Sequence, residues 1–80
     1  MRREKNEEIG NIMDSFAKGM LQARKERRMT QKELADKSGI YQADVSKMER
    51  GLSNPSMSTI QRVADALGVD VQINFKMRKK

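Results

Sequence analysis

Three glycines, at positions 39, 51 and 68, limit the length of any helix in the second half of the chain. Apolar residues recur at helical spacing ahead of each glycine, and a glycine directly after such a stripe is typical of a helix C-terminus. The segment Thr30-Gln31-Lys32-Glu33 has the pattern of a capping box, in which the first and fourth residues each bond the other's backbone N–H. The middle of the chain is therefore expected to form short helices.

Four helices follow from these boundaries and from the apolar periodicity. Residues 1–8 are almost wholly charged or polar, so they are expected to be a solvated tail or a frayed helix start. Only Ile40 and Tyr41 separate the second predicted helix and its glycine from the third, which is the spacing of a helix-turn-helix. The predicted helices run from about Ile12 to Arg28, Thr30 to Gly39, Gln42 to Arg50 and Met57 to Gly68.

The segment 69–75, VDVQINF, alternates apolar and polar residues as a strand with one buried face does. Nothing else in the chain has this pattern, and an all-helical domain offers no sheet edge to satisfy the backbone of a lone strand. Antiparallel pairing with the same segment of a second chain would satisfy both backbones. The sequence therefore predicts a homodimer whose interface contains Val69, Val71, Ile73 and Phe75.

Together these elements predict an all-α fold, a compact bundle of four to five short helices with one C-terminal β-strand that pairs across a dimer. The 80 residues are divided into four parts. These are a charged N-terminal tail (1–8), a helix-turn-helix domain (9–68), a dimerisation strand (69–76) and a basic C-terminal tail (77–80).

Composition narrows the function. The 17 Lys and Arg against 11 Asp and Glu give a net charge of +6, which favours a polyanionic partner such as nucleic acid or an anionic membrane surface. The absence of Cys and His removes thiol and imidazole nucleophiles and the usual metal ligands. We therefore expect no enzyme, no cofactor and no metal. With no membrane-spanning run and no secretory signal, a cytoplasmic protein is expected.

The third predicted helix has a polar face suited to DNA. Opposite Val45 and Met48 lie positions 42, 43, 46, 47 and 50, where Gln can bond adenine and Lys can donate to guanine in the major groove. Free N–H groups at the start of the fourth helix, with nearby hydroxyl and amide side chains, suit a phosphate. An ordinary solvated helix face and a plain turn are the alternatives. The phosphate candidates there are Ser53, Asn54 and Ser56.

The segments Met29–Ala35, Gly39–Gln42, Val45–Gly51 and Asn54–Ser56 together resemble the Cro/C1-type (XRE) helix-turn-helix family of phage repressors and bacterial regulators. This resemblance implies a lambda-repressor-like fold that binds double-stranded DNA, with a recognition helix from Gln42 to Arg50. It implies that Gln31 holds a phosphate and braces Gln42, and that Arg24 bonds Glu49. Base contacts are assigned to Gln42, Ala43 and Lys47, with Ser46 on the same face, and a phosphate contact to Arg50.

Two residues depart from the family pattern. Tyr41 stands where the family often has Ser or Thr, which predicts a weaker cap unless Gln42 or a phosphate compensates, and its hydroxyl is a candidate contact to the DNA backbone. Asp44 lies in the first turn of the helix, where it suits the helix dipole; accepting from cytosine N4 is the alternative.

The predicted function is a sequence-specific regulator, most simply a repressor, that binds a palindromic operator as a homodimer in the bacterial nucleoid or on phage DNA. The ending ALGVDVQINF after a helix-turn-helix resembles antitoxins of bacterial toxin–antitoxin pairs, including HigA-like members, and implies a toxin partner and an autoregulated operon. A phage or chromosomal repressor without a toxin is one alternative. A basic protein-interaction module without specific DNA binding is another. The second strand is expected to come from an identical chain rather than from a toxin.

Overall fold

The computed structural model describes the backbone of residues 3–79 and the side chains of residues 12–79. Within that range the fold is all-helical, as expected, with four helices and short connections. The helices are α1 (Arg3–Glu26), α2 (Gln31–Ser38), α3 (Gln42–Glu49) and α4 (Met57–Leu67). The α2–α3 pair is the predicted helix-turn-helix, and it packs against α1 and α4.

The core contains apolar side chains from all four helices. Leu34, Val45 and Val63 are fully buried, and burial of each such side chain contributes about 1.5–3 kcal/mol. Met20 of α1 and Leu67 of α4 complete the centre of the cluster. Because α2 and α3 have eight residues each, this packing rather than helix propensity stabilises them.

The helix starts follow the sequence signals. At α2 the Glu33 N–H donates to Thr30 Oγ1 at 3.0 Å and the Thr30 N–H donates to Glu33 Oε1 at 2.8 Å, so the predicted capping box forms. At α4 the Thr59 N–H donates to Ser56 Oγ at 3.1 Å. Tyr41 at the start of α3 makes no side-chain cap hydrogen bond, as its residue type predicts.

The helix ends share one hydrogen-bond pattern. After each helix, an N–H bonds the carbonyl oxygen five residues earlier, which is the longer bond of a Schellman motif. The four bonds are Met29 to Arg24, Ile40 to Ala35, Leu52 to Lys47 and Val69 to Ala64, at 2.9–3.2 Å. The motif needs a left-handed residue, which is glycine after three of the helices but Arg28, at φ 55°, after α1.

Two arginines bind the C-terminal ends of helices to which they do not belong. Arg62 of α4 donates from Nε to the Ser38 carbonyl at 3.2 Å and from Nη2 to the Gly39 carbonyl at 3.0 Å. Arg27 donates in the same way to the carbonyls of Leu67 and Gly68, both at 2.9 Å. Each guanidinium therefore satisfies free carbonyl groups and places positive charge at the negative end of a helix dipole.

The first helix begins earlier in the chain than predicted. The first helix was expected to begin near Ile12 after a tail at residues 1–8, but α1 begins at Arg3. The described part of that tail, residues 3–8, is therefore helical, in keeping with the helix-start alternative. Met1 and Arg2 lie outside the described residues.

The C-terminal prediction of a strand is not supported in the single chain, because residues 68–79 contain neither helix nor strand in the structure. The physical reason is that a strand is defined by a hydrogen-bonded partner, and the helical bundle offers no sheet edge. Val69 is half-buried against the core, whereas Val71, Ile73 and Phe75 are exposed. Lys80, the last residue of the predicted basic tail, lies outside the described residues.

The left-handed conformation of Arg28 leads to a stability prediction. We expect Arg28→Gly to raise the free energy of unfolding by about 0.5–1 kcal/mol, because glycine adopts positive φ without a Cβ clash. The matched control is Lys18→Gly on the exposed face of α1, which removes the same charge. This change should lower the free energy of unfolding by about 1 kcal/mol, because glycine destabilises the interior of a helix. Urea unfolding followed by circular dichroism measures both, and equal losses in the two variants would contradict the prediction.

Candidate nucleic-acid interface

Helix α3 presents one polar face to solvent and anchors the opposite face in the core. Val45 is 0% exposed and Met48 is 3% exposed, so the orientation of the helix about its axis is fixed. The side chains predicted to contact bases are accessible on the other face. Gln42, Ala43 and Lys47 are exposed, as are Asp44 and Arg50, while Ser46 is half-buried. A single exposed helix face of this kind fits the major groove of DNA.

The N-terminus of α3 is open to an approaching anion. Tyr41 is 82% exposed and extended, and its backbone carbonyl accepts the N–H of Asp44 at 2.9 Å and of Val45 at 3.0 Å. No side chain caps the first N–H groups of the helix. Asp44 is in this first turn, so both of its predicted roles, at the helix dipole and toward a base, fit its position.

A buried ion pair holds the C-terminal end of α3. Arg24 of α1 donates from Nε to Glu49 Oε2 at 2.6 Å and from Nη2 to Oε1 at 3.0 Å, a bidentate geometry. The two side chains are 13% and 4% exposed. A third donor, Nη1, bonds the Met29 carbonyl at 2.8 Å. The hydrogen bond with Glu49 raises the pKa of Arg24 above its ordinary value, so the guanidinium stays charged at every accessible pH.

Gln31 bonds the same carboxylate as Arg24, rather than the Gln42 side chain that the family resemblance implied. Its side-chain amide donates to Glu49 Oε1 at 3.0 Å, whereas no hydrogen bond to Gln42 is found among the described residues. The brace to Gln42 is thus not formed in this structure and stays a prediction for the DNA-bound protein. Gln31 remains half-exposed at the start of α2, so a contact to phosphate stays a prediction.

Four of the remaining phosphate candidates lie around one cleft. Tyr41, Ser53, Asn54 and Ser56 line a space of ≈ 430 Å³ between the α2–α3 turn and the start of α4. Ser53 Oγ is buried and has no hydrogen-bond partner among the described residues, while Ser56 Oγ is used as the cap of α4. Arg50 lies outside this cleft on the face of α3, where its Nε donates weakly to the Ser46 carbonyl at 3.4 Å.

Sequence reasoning missed Arg62, which lines the same cleft. Its guanidinium is held by the carbonyls of Ser38 and Gly39. A Cβ on Gly39 would lie 2.9 Å from Arg62 Nη2, so the glycine of the turn admits the arginine as well as the left-handed backbone. No pattern of neighbouring residues predicts this contact, because Arg62 is 24 residues from Ser38 and 23 residues from Gly39 in the sequence.

Other kinds of site are not seen in the described part of the chain. Between residues 12 and 79 no group of acidic side chains is arranged to hold a metal ion. None of the helices described is long and apolar enough to span a membrane.

Comparison with known proteins gives one family and several relatives. The family model described as helix-turn-helix matches residues 20–74. The immunity repressor protein of Bacillus phage phi105 is 46% identical over 48 residues, which is 60% of this chain and 33% of the relative.

Two relatives come from Sinorhizobium fredii (strain NBRC 101917 / NGR234), and both are named as uncharacterized HTH-type transcriptional regulators. One, y4dJ, is 44% identical over 46 residues, which is 58% of this chain and 60% of the relative. The other, y4dL, is 37% identical over 49 residues, which is 61% of this chain and 25% of the relative. The chain thus corresponds to only part of each relative, and no solved structure gives a significant match.

The buried pair makes a prediction about stability. We expect Arg24→Met to lower the free energy of unfolding by about 3 kcal/mol, because it leaves the Glu49 carboxylate buried without its charge partner. The control is Lys32→Met in the exposed pair with Asp36, which should cost less than about 0.5 kcal/mol.

Chemical denaturation of both variants measures the difference, and the double variant Arg24→Met/Glu49→Leu should recover part of the loss. Equal costs for the buried and the exposed pair would show that the network does not hold α3 in place.

Proposed function

Because the chain belongs to the helix-turn-helix family of the Cro/C1 type, we propose that it is a sequence-specific DNA-binding transcriptional regulator, most simply a repressor. The observation that carries the proposal is the polar face of α3, which is exposed while Val45, Met48 and the Arg24–Glu49 pair fix the helix from behind. A rigidly mounted recognition helix keeps its side chains in register with the base edges.

The proposed contacts divide into two groups. Gln42, Ala43, Ser46 and Lys47 face the bases, where the Gln42 amide suits adenine and the Lys47 ammonium suits guanine. The uncapped first turn of α3 faces the phosphates, because its free N–H groups can donate to anionic oxygens. Ser53 Oγ is buried, so its proposed phosphate contact requires a change of its side-chain rotamer. Tyr41, Arg50, Asn54, Ser56 and Gln31 complete the phosphate set.

We propose that the regulator acts as a homodimer on a palindromic operator. Val71 and Ile73 are 47% and 57% exposed in the single chain, and antiparallel pairing of segment 69–75 with its copy would cover them. Two recognition helices related by a two-fold axis would read half-sites about 34 Å apart in successive major grooves.

The names of the relatives favour a repressor without a toxin partner. One is named as an immunity repressor and two as transcriptional regulators. The antitoxin alternative is supported by the resemblance of residues 66–75 alone. Tagged protein recovered from its own cells distinguishes the two, because an antitoxin brings down a small toxin protein together with its DNA, whereas a repressor brings down DNA alone.

We propose a binding role rather than an enzymatic one, without a cofactor, in the cytoplasm on the bacterial nucleoid or on phage DNA. The absence of Cys and His from the sequence supports this role. The alternative of a basic interaction module predicts adsorption that weakens with salt and ignores sequence. A specific regulator combines a steep salt dependence with a large preference for its operator.

The base contacts make a direct prediction. After an operator is selected from random DNA with the unaltered protein, Gln42→Ala and Lys47→Ala should each reduce its preference over unrelated DNA by at least about tenfold. The control is Lys32→Ala on the exposed face of α2, which removes the same charge as Lys47→Ala without touching α3. Fluorescence anisotropy at fixed salt measures the preference, and unchanged values in both α3 variants would refute the regulator proposal.

The dimer makes a second prediction. Ile73→Asp puts charge into the proposed apolar layer, so it should give a monomer at micromolar concentrations and a weaker operator complex. Asn74→Lys, one residue away on the opposite face of the segment, adds a charge that lies across from Asp70 of the other copy and should leave the dimer intact. Light scattering reports the mass of each, and a monomeric unaltered protein would end the dimer proposal.

A further inference from the structure

An apolar groove runs along the side of the bundle away from the cleft at α3. Its walls are α1, α4 and the C-terminal segment 69–74, and it encloses ≈ 590 Å³. Phe16 and Ala23 of α1 and Ile60 of α4 are among the side chains that line it. The groove is separate from the residues proposed to bind DNA.

Gly19 leaves unused space in the wall of this groove. It lies inside α1, where glycine is less stabilising than alanine, and a Cβ at this position would meet nothing within 4 Å. Crowding within the single chain therefore does not account for the glycine. The open space suits a side chain that enters from outside the chain.

Phe75 is an aromatic side chain with nothing to cover it. It is 95% exposed, and exposure rises along the apolar side of the segment from half-buried Val69 through Val71 at 47% to Ile73 at 57%. The segment thus begins in the groove of its own chain and ends with its largest apolar side chain in solvent. Covering an exposed Phe side chain with a second apolar surface is favourable.

The register of the proposed strand pair brings these two features together. Antiparallel pairing centred on Gln72 uses all seven residues of VDVQINF and places Phe75 of one copy opposite Val69 of the other. Residues opposite each other project to the same face, and Val69 packs against the core beside the groove.

We infer that the groove of each copy receives Phe75 of the other copy, with the space beside Gly19 accommodating the ring. This inference rests on the proposed homodimer and specifies its interface. Each bundle then has an incomplete apolar wall until its partner supplies an aromatic side chain.

Charge supports the same arrangement. In this register Lys76 of one copy lies beside Gly68 of the other, at the C-terminal end of α4 and next to Asp70. The last turn of α4 has no basic residue of its own. A lysine from the second copy therefore joins Arg27 at the negative end of this helix dipole.

A single tryptophan tests the inference, because the chain contains none. In Phe75→Trp the emission maximum should shift to shorter wavelength as concentration rises through the dimerisation range measured by light scattering. The control is Met57→Trp at the exposed start of α4, outside the groove, whose emission should stay that of exposed tryptophan throughout.

A second pair of variants tests the receiving groove. Gly19→Leu fills the open space and should weaken dimerisation by about 100-fold, since it excludes one aromatic side chain from each of two grooves. Gly19→Ala is the control and should weaken dimerisation far less, because a single methyl group occupies little of the open space. Circular dichroism checks that both variants remain folded.

The outcomes separate this inference from the homodimer proposal. A dimer in which Phe75→Trp emission stays exposed, or in which Gly19→Leu has no effect, overturns the inference and leaves the dimer standing. A blue-shifted emission that does not change with concentration means that the ring occupies the groove of its own chain, which also overturns it. A monomer at every concentration overturns both.

Discussion

The position of α3 and of its exposed face depends on a buried ion pair between Arg24 and Glu49. Helix α3 has eight residues and two apolar anchors, too little to be stable or fixed in direction by itself. A bidentate guanidinium from α1 and an amide from Gln31 of α2 both converge on one carboxylate near its C-terminal end. Because these donors satisfy the carboxylate, burial of its charge is tolerated and the helix is tied to two neighbours at once.

Three arginines stabilise the bundle by donating hydrogen bonds to backbone carbonyls. Arg24, Arg27 and Arg62 all donate to backbone carbonyls at or just beyond the end of a helix, and two of them reach a helix far away in sequence. These contacts extend a core that contains few large side chains. Part of the positive charge that suggests a nucleic-acid partner is therefore used inside the fold, and the net charge overstates what is available to DNA.

Apart from the Arg24–Glu49 pair, which the family resemblance implied, the features that could be predicted from sequence are those decided by neighbouring residues. Thr30 with Glu33, the glycines after α2, α3 and α4, and the outward face of α3 all depend on spacings of a few residues. Contacts of Arg27 and Arg62 could not be predicted, because 23 to 41 residues separate the partners. The hydrogen bond from Gln31 to Glu49 was not predicted either, because 18 residues separate the two. The alternation in residues 69–75 was recognisable, but a single chain cannot supply the hydrogen bonds that make a strand.

The residues of α3 fall into two sets, one exposed to solvent and one that anchors the helix in the bundle. Positions 42, 43 and 47 face solvent, whereas Val45, Met48 and Glu49 hold the helix in place, and neither set contributes to the work of the other. Substitutions in the outward set therefore carry little penalty in folding. The outward face can therefore change its side chains at a few positions without passing through an unstable intermediate.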